Sequence, residues 1–112
     1  MNGGKILVAG ATGRVGDAAV RHLLEASHEV RAFVRSAAKG EPLRSLGAEP
    51  VVGDVTKPET LAPALDGCAG VFSALSAGTE REAEEVEYRG NVNLLQAARA
   101  TSLAEIQPAG RR

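Results

Sequence analysis

Three glycines spaced three apart, Gly10, Gly13 and Gly16, follow the apolar run KILVA at Lys5–Ala9. Such a triplet, placed where a strand turns into a helix, can hold an anion. Gly10 permits the tight turn out of the strand. Gly13 lets backbone approach a pyrophosphate with no Cβ between them. Gly16 lets the helix pack closely on the strand. The free N–H groups and the positive helix end then face the phosphates, with Thr12, Arg14 and Val15 filling the loop. The spacing is G-x-x-G-x-x-G and no Lys-Ser/Thr follows it, so it is not the loop that cradles nucleoside triphosphates. The same residues also suit a plain strand–turn–helix. Their surroundings favour a dinucleotide, because a buried strand, an amphipathic helix and a second strand sit where the site needs them.

The end of the second strand bears on which dinucleotide. An acidic residue about 20 positions beyond the glycines would accept a hydrogen bond from the ribose 2′-hydroxyl of NAD. This chain has Arg35 there, 19 positions after Gly16, and Lys39 one turn further. A guanidinium cannot accept that bond but pairs well with a 2′-phosphate. The plainer reading of Arg35 is a solvated surface charge. Arg14 adds a third positive charge, and together they favour NADP(H) over NAD(H). Asp54 stands at the end of a third strand, where open α/β sheets bind ligands; capping the next turn is its ordinary role. Ser76 follows the fourth strand at the same edge, near where the second ribose should lie, or simply fills the loop.

The elements that must position these residues follow in order. KILVA does not alternate, as suits a parallel strand covered on both faces. A helix is expected from about Arg14 to Ala26, with Val15, Ala19 and Leu23 recurring every four residues and Val20 and Leu24 beside them. EVRAFVR reads as a strand with Val30, Ala32 and Val34 on one face. A short helix around Pro42–Leu46 is stopped by Gly47. PVVGD is a third strand. Thr56 with Glu59 has the spacing of a capping box, opening a helix that Gly67 closes. AGVFSAL is a fourth strand. Thr79 with Glu82 is a second such box, opening a long helix to about Thr101 that carries Val86, Gly90, Leu94 and Ala97 on one side. The alternation predicts an α/β doubly wound parallel sheet of four strands, order 3-2-1-4, with four helices. Residues 1–101 form this domain, and SLAEIQPAGRR at 102–112 is expected to be an irregular tail.

Composition narrows the partners. Of 112 residues, 44% are hydrophobic and 24% charged, with a net charge of −1. That balance speaks against nucleic acid and anionic membrane surfaces. No run of about 18 apolar residues is present to cross a bilayer. MNGGK leads straight into the first strand, so no secretion signal is expected. One cysteine, Cys68, excludes an internal disulfide and points to a reducing, cytoplasmic setting. It reads as a small buried hydrophobe. His22 and His28 have no partners at ligand spacing. Glu80, Glu82, Glu84, Glu85 and Glu87 crowd the start of the long helix, where carboxylates favour the helix end and are usually just solvated. No metal is expected. With the fourth strand at a sheet edge, the chain should self-associate through that edge or through the long helix.

KILVAGATGRVG, FVRSAAK, GDVTKPETL and VEYRGNVNLLQAAR, in this order, resemble the atypical short-chain dehydrogenase/reductase family, its NmrA-like, NAD(P)H-binding subgroup most of all. The resemblance runs from about Gly4 to Arg99 and implies a Rossmann fold with bound NADP(H). By position it implies phosphate contacts from Gly10–Gly16 and a 2′-phosphate contact from Arg35, with Lys39 beside it. It implies adenine contacts at Asp54 and Val55, and ribose–nicotinamide contacts near Ala74 and Ser76. Members reduce carbonyl, quinone-like or isoprenoid-type substrates, epimerise sugars, or only sense the cofactor's redox state.

The chain also departs from the family. The catalytic Tyr-x-x-x-Lys follows a fifth strand in that family. Here the tyrosine is Tyr88, with Val92 four positions on, and Glu87 stands where catalytic members often carry an Asn. Neither that dyad nor a substrate half is read in these residues. Two functions therefore stand side by side: the cofactor-binding part of an NADP(H)-dependent oxidoreductase, or a non-catalytic dinucleotide-binding sensor or partner-binding module. A reading frame without a selected function is the third and weakest.

Overall fold

A computed structural model describes residues 5–75, 88–100 and 105–108. Its first strand, β1 (Lys5–Ala9), leads into α1 (Arg14–Glu25) and β2 (Val30–Val34). Next come α2 (Ala37–Leu46) and β3 (Glu49–Val52). A 3₁₀ turn at Pro58–Thr60 opens α3 (Leu61–Leu65), and β4 (Cys68–Ser73) follows. The described chain closes with α4 (Arg89–Ala100) and β5 (Glu105–Pro108). The strands form one parallel sheet in the order β3-β2-β1-β4-β5. The order 3-2-1-4 is the one the alternation of elements predicts.

The sheet has a core on each face because successive side chains of a strand point oppositely. Val8, Val30, Ala32 and Val34 pack against α1 and α2, meeting Val20 and Leu43. Leu7, Ala9, Phe33 and Val71 pack on the other side against Leu61, Leu65 and Leu94. Leu7, Leu61 and Leu65 are completely or almost completely buried, and each such side chain contributes about 1.5–3 kcal/mol over exposure. Cys68 is free and buried at the edge of this second core, and burial raises its thiol pKa.

Three local expectations are corrected. α2 begins at Ala37 rather than near Pro42, because the Ser36 side chain accepts the Lys39 N–H and caps the helix five residues earlier. Pro42 lies inside it. Thr56 does not pair with Glu59 as a capping box. Its N–H and hydroxyl instead donate to the Asp54 carboxylate, two residues back, and neither the 3₁₀ turn nor α3 has a side-chain cap. The third concerns 102–112, expected to be irregular. Within it Glu105–Pro108 form β5, in parallel register with Gly70–Ser73. β4 is therefore paired on both sides, by β1 and by β5. Its backbone groups gain partners they would lack at an edge. The expectation of a free β4 edge for self-association is thus corrected: β5 occupies that edge. The second capping box, Thr79 with Glu82, lies outside the described residues.

Candidate functional site

The glycine turn starts from β1. Gly10 has φ +76°, and a Cβ there would come within 2.5 Å of the Ala74 carbonyl oxygen. A Cβ on Gly16 would lie 1.9 Å from the Gly10 carbonyl oxygen, so α1 meets the turn backbone to backbone. Gly10 and Gly16 are thus required by the fold itself. Gly13 is different. Its φ is −78°, open to any residue, and a Cβ would meet the Gly10 oxygen at an ordinary 3.5 Å. Nothing in the chain demands glycine at this position. Gly13 is the N-cap of α1 and supplies no side chain to the helix's first N–H groups, which leaves them for a ligand.

Gly13 borders a cavity of about 250 Å³. Gly10 and Thr12 line it from the turn, and Phe33, Val34 and Arg35 from the end of β2. Lys39 reaches it from the first turn of α2. Gly53 and Val55 close it beyond β3, and Ala74 and Leu75 beyond β4. The cavity thus lies at the carboxyl ends of β1 to β4, the ligand edge of an open α/β sheet. Two cations, Arg35 and Lys39, stand on one side of it. Arg35 is 66% exposed, with Nε 3.9 Å from Asp54 Oδ2.

Asp54 is tightly held. Its Oδ1 accepts from the Thr56 N–H at 2.9 Å and from the Thr56 hydroxyl at 2.7 Å. Burial alone would raise its pKa. The Thr56 bonds and the charges of Arg35 and Lys57 outweigh that and hold it below the usual carboxylate range. Asp54 is therefore ionised at neutral pH.

α4 backs the site. Asn93 Nδ2 donates to the Val55 carbonyl at 2.8 Å. A Cβ on Gly90 would strike the Val55 side chain at 2.7 Å and approach Leu75 at 3.1 Å, so the helix lies close under both loops. The buried Ser73 hydroxyl bonds to Asn91 Oδ1.

Of the residues singled out from sequence, Gly10, Thr12, Gly13, Arg35, Lys39, Val55 and Ala74 meet around one cavity. Asp54 adjoins it through Arg35. Arg14 and Val15 are exposed at the start of α1 and are not part of the lining, and Gly16 is buried beneath the turn. Ser76 and the glutamates Glu80 to Glu87 lie outside the described residues. Phe33, Val34, Gly53 and Leu75 are lining residues that the sequence reading missed. The signal for Gly53 was its place before Asp54: a Cβ there would sit 2.5 Å from the Phe33 ring. Tyr88, the residue before α4, is 63% exposed. Among the described residues no group of His, Cys, Asp and Glu could hold a metal ion, and no helix is long and apolar enough to cross a membrane.

The NAD(P)H-binding domain family matches residues 10–106. The photosystem II assembly factor Ycf39 of Synechocystis sp. is 35% identical over 101 residues, which are 88% of this chain and 31% of that protein. The triphenylmethane reductase of Citrobacter sp., solved with NADP(H), superposes with a TM-score of 0.79 at 30% identity, over 95% of this chain and 37% of that one. A short-chain dehydrogenase/reductase superfamily protein from Agrobacterium tumefaciens with bound NAD gives 0.73 at 29% identity, over 93% and 31%. The chain spans about a third of the length of these relatives.

Proposed function

Since this chain belongs to the NAD(P)H-binding family, within the atypical short-chain dehydrogenase/reductase class, we propose that its Rossmann domain serves an oxidoreductase and prefers NADP(H) to NAD(H). The observation that carries the site is Gly13. It is a glycine the fold does not need, at the mouth of a cavity and at the N-terminus of α1. A pyrophosphate pressed against its backbone gives it a reason. Gly10, Thr12 and the first N–H groups of α1 would hold that pyrophosphate, with Arg14 and Val15 beside it and Gly16 keeping the turn in place. Val55 and Asp54 would flank the adenine, and Ala74 and Ser76 would lie toward the nicotinamide ribose. Sites for whole drug-sized ligands run about 300–1,000 Å³, so a cavity of about 250 Å³ suits one nucleotide half of the cofactor.

The preference rests on Arg35 and Lys39. Relatives carry either NADP(H) or NAD, so family membership leaves the choice to the residues. Two cations on one wall of the cavity favour the cofactor with the extra phosphate. When bound, the cofactor supplies or accepts a hydride. The residues of this chain bind and orient it. The single cysteine, free and buried, suits a cytoplasmic protein.

A second reading, a dinucleotide sensor or partner-binding module without catalysis, has one observation in its favour. Within these 112 residues Tyr88 is followed four positions on by Val92, so this stretch contributes no Tyr-x-x-x-Lys pair. Proton donation to a carbonyl by that pair would have to come from elsewhere.

Titrating NADPH and NADH into the chain by cofactor fluorescence tests the proposal. Saturable binding is expected in the native chain. It should be lost in Gly13→Asp, whose carboxylate would occupy the phosphate cradle, while a cooperative thermal transition persists. A native chain that binds neither nucleotide contradicts the proposal, as does a Gly13→Asp variant that binds both normally.

A further inference from the structure

Asp54 uses its two carboxylate oxygens differently. Oδ1 is taken by the N–H and hydroxyl of Thr56. The backbone behind it is pinned as well: the Asp54 N–H donates to Thr60 Oγ1 at 3.1 Å, and the Thr60 hydroxyl lies 2.9 Å from the Asp54 carbonyl oxygen. That leaves Oδ2, which faces Arg35 Nε at 3.9 Å. A fixed, ionised carboxylate thus stands beside the mostly exposed cation that the proposed function assigns to the 2′-phosphate.

We propose that Asp54 is a specificity-determining residue that acts through Arg35. Its carboxylate competes with the ribose 2′-phosphate for the guanidinium and so moderates the preference for NADP(H). This rests on the reading that Arg35 receives that phosphate. Positioning of Arg35 by Asp54 is the opposing effect, and it is the smaller one. An ion pair of 3.9 Å with a 66% exposed arginine orients the side chain only weakly. A 2′-phosphate carries about −1.5 to −2 charges at neutral pH. Drawn to the same guanidinium, it must approach Asp54 to well within the Debye length of roughly 8–10 Å. A 2′-hydroxyl meets no such penalty. The carboxylate therefore acts on the difference between the two cofactors, and any contact it makes with both cancels in the ratio of their affinities.

The ratio of the NADH to the NADPH dissociation constant is the quantity to measure. Asp54→Asn keeps an oxygen for Thr56 and removes the charge; Asp54→Ser keeps a shorter acceptor and guards against a misfolded first variant. Both should raise the ratio about threefold to tenfold. In an Arg35→Ala background the 2′-phosphate is no longer drawn toward Asp54, so the same Asp54→Asn change should move the ratio by less than about twofold, as expected when one residue acts through the other. An unchanged or lowered ratio in both Asp54 variants overturns the inference, including the case where both cofactors weaken equally. A full-sized gain in the Arg35→Ala background overturns it too, since Asp54 would then act on the phosphate without Arg35. If Arg35→Ala leaves the native ratio where it was, the assignment of the phosphate to Arg35 is what fails, and the inference falls with it.

Discussion

Gly13 and Gly16 look alike in the sequence, yet their surroundings assign them to different tasks. A Cβ at 16 lies 1.9 Å from a backbone oxygen that cannot move without the turn moving. Gly16→Ala should therefore lose about 2 kcal/mol or more of stability, seen as a fall of several degrees in the thermal midpoint. At 13 the backbone is open to any residue and the nearest atom is 3.5 Å away. Gly13→Ala should melt within a few degrees of the native chain, the cost of a poorer helix cap being about 1 kcal/mol at most. It should weaken NADPH about tenfold, because the new methyl stands between backbone and phosphate. Equal stability losses in the two variants would show that Gly13 is as structural as Gly16.

α4 and β5 shape the site without lining it. Asn93 holds the Val55 carbonyl from the helix side, 38 residues away in the chain. Asn93→Ala leaves that carbonyl without this donor, so a loss of about 1 kcal/mol is expected, together with weaker NADPH binding by titration. A variant with native stability and affinity would mean that α4 does not set the position of Val55. β5 covers β4, so ending the chain at Thr101 should speed amide exchange along Val71–Ser73 and cause association in sedimentation velocity. Unchanged exchange there would contradict the pairing. β1 to β4 were legible in the sequence because each contains apolar residues bounded by turn residues, and α1, between the first two, has a clear period. β5 was not, since the alternation of Glu105, Ile106 and Gln107 spans too few residues to register and ends on Pro108. The start of α2 was misread because Pro42 resembles a first-turn proline, while the true cap, Ser36, lies further back. In the site, the glycines and charges were readable from type and spacing. Phe33 and Gly53 were not, because their role depends on two strand ends meeting, which only the β2–β3 register brings about.

The molecule separates its tasks between the two ends of the sheet. At the amino ends, Glu49 joins Lys5 at 2.9 Å and Arg31 at 3.2 Å. Arg31 in turn donates to the Ala64 and Asp66 carbonyls at 2.7 Å, closing α3. The Lys5 hydrogen bond, opposed by burial and helped by Arg31, lowers the Glu49 pKa from its ordinary 4.5. A carboxyl lowered in the folded state stabilises fully above that ordinary value, and the contribution is lost as pH falls through the folded one. The thermal midpoint should thus drop on acidification below about pH 4.5, and less so in Glu49→Gln. An identical acid slope in both would show that Glu49 does not contribute to the acid transition. The carboxyl ends carry the cavity proposed for the cofactor, where Arg35 and Lys39 are proposed to select NADP(H). Calorimetric titration of NADPH and NADH into the native chain and Arg35→Ala tests this most directly. Losing a charge-assisted phosphate bond should cost about 1.5–3 kcal/mol. NADPH should bind more tightly by about tenfold or more in the native chain, shrinking toward parity in Arg35→Ala. Equal affinities in the native chain, or a preference that survives the loss of Arg35, would contradict it.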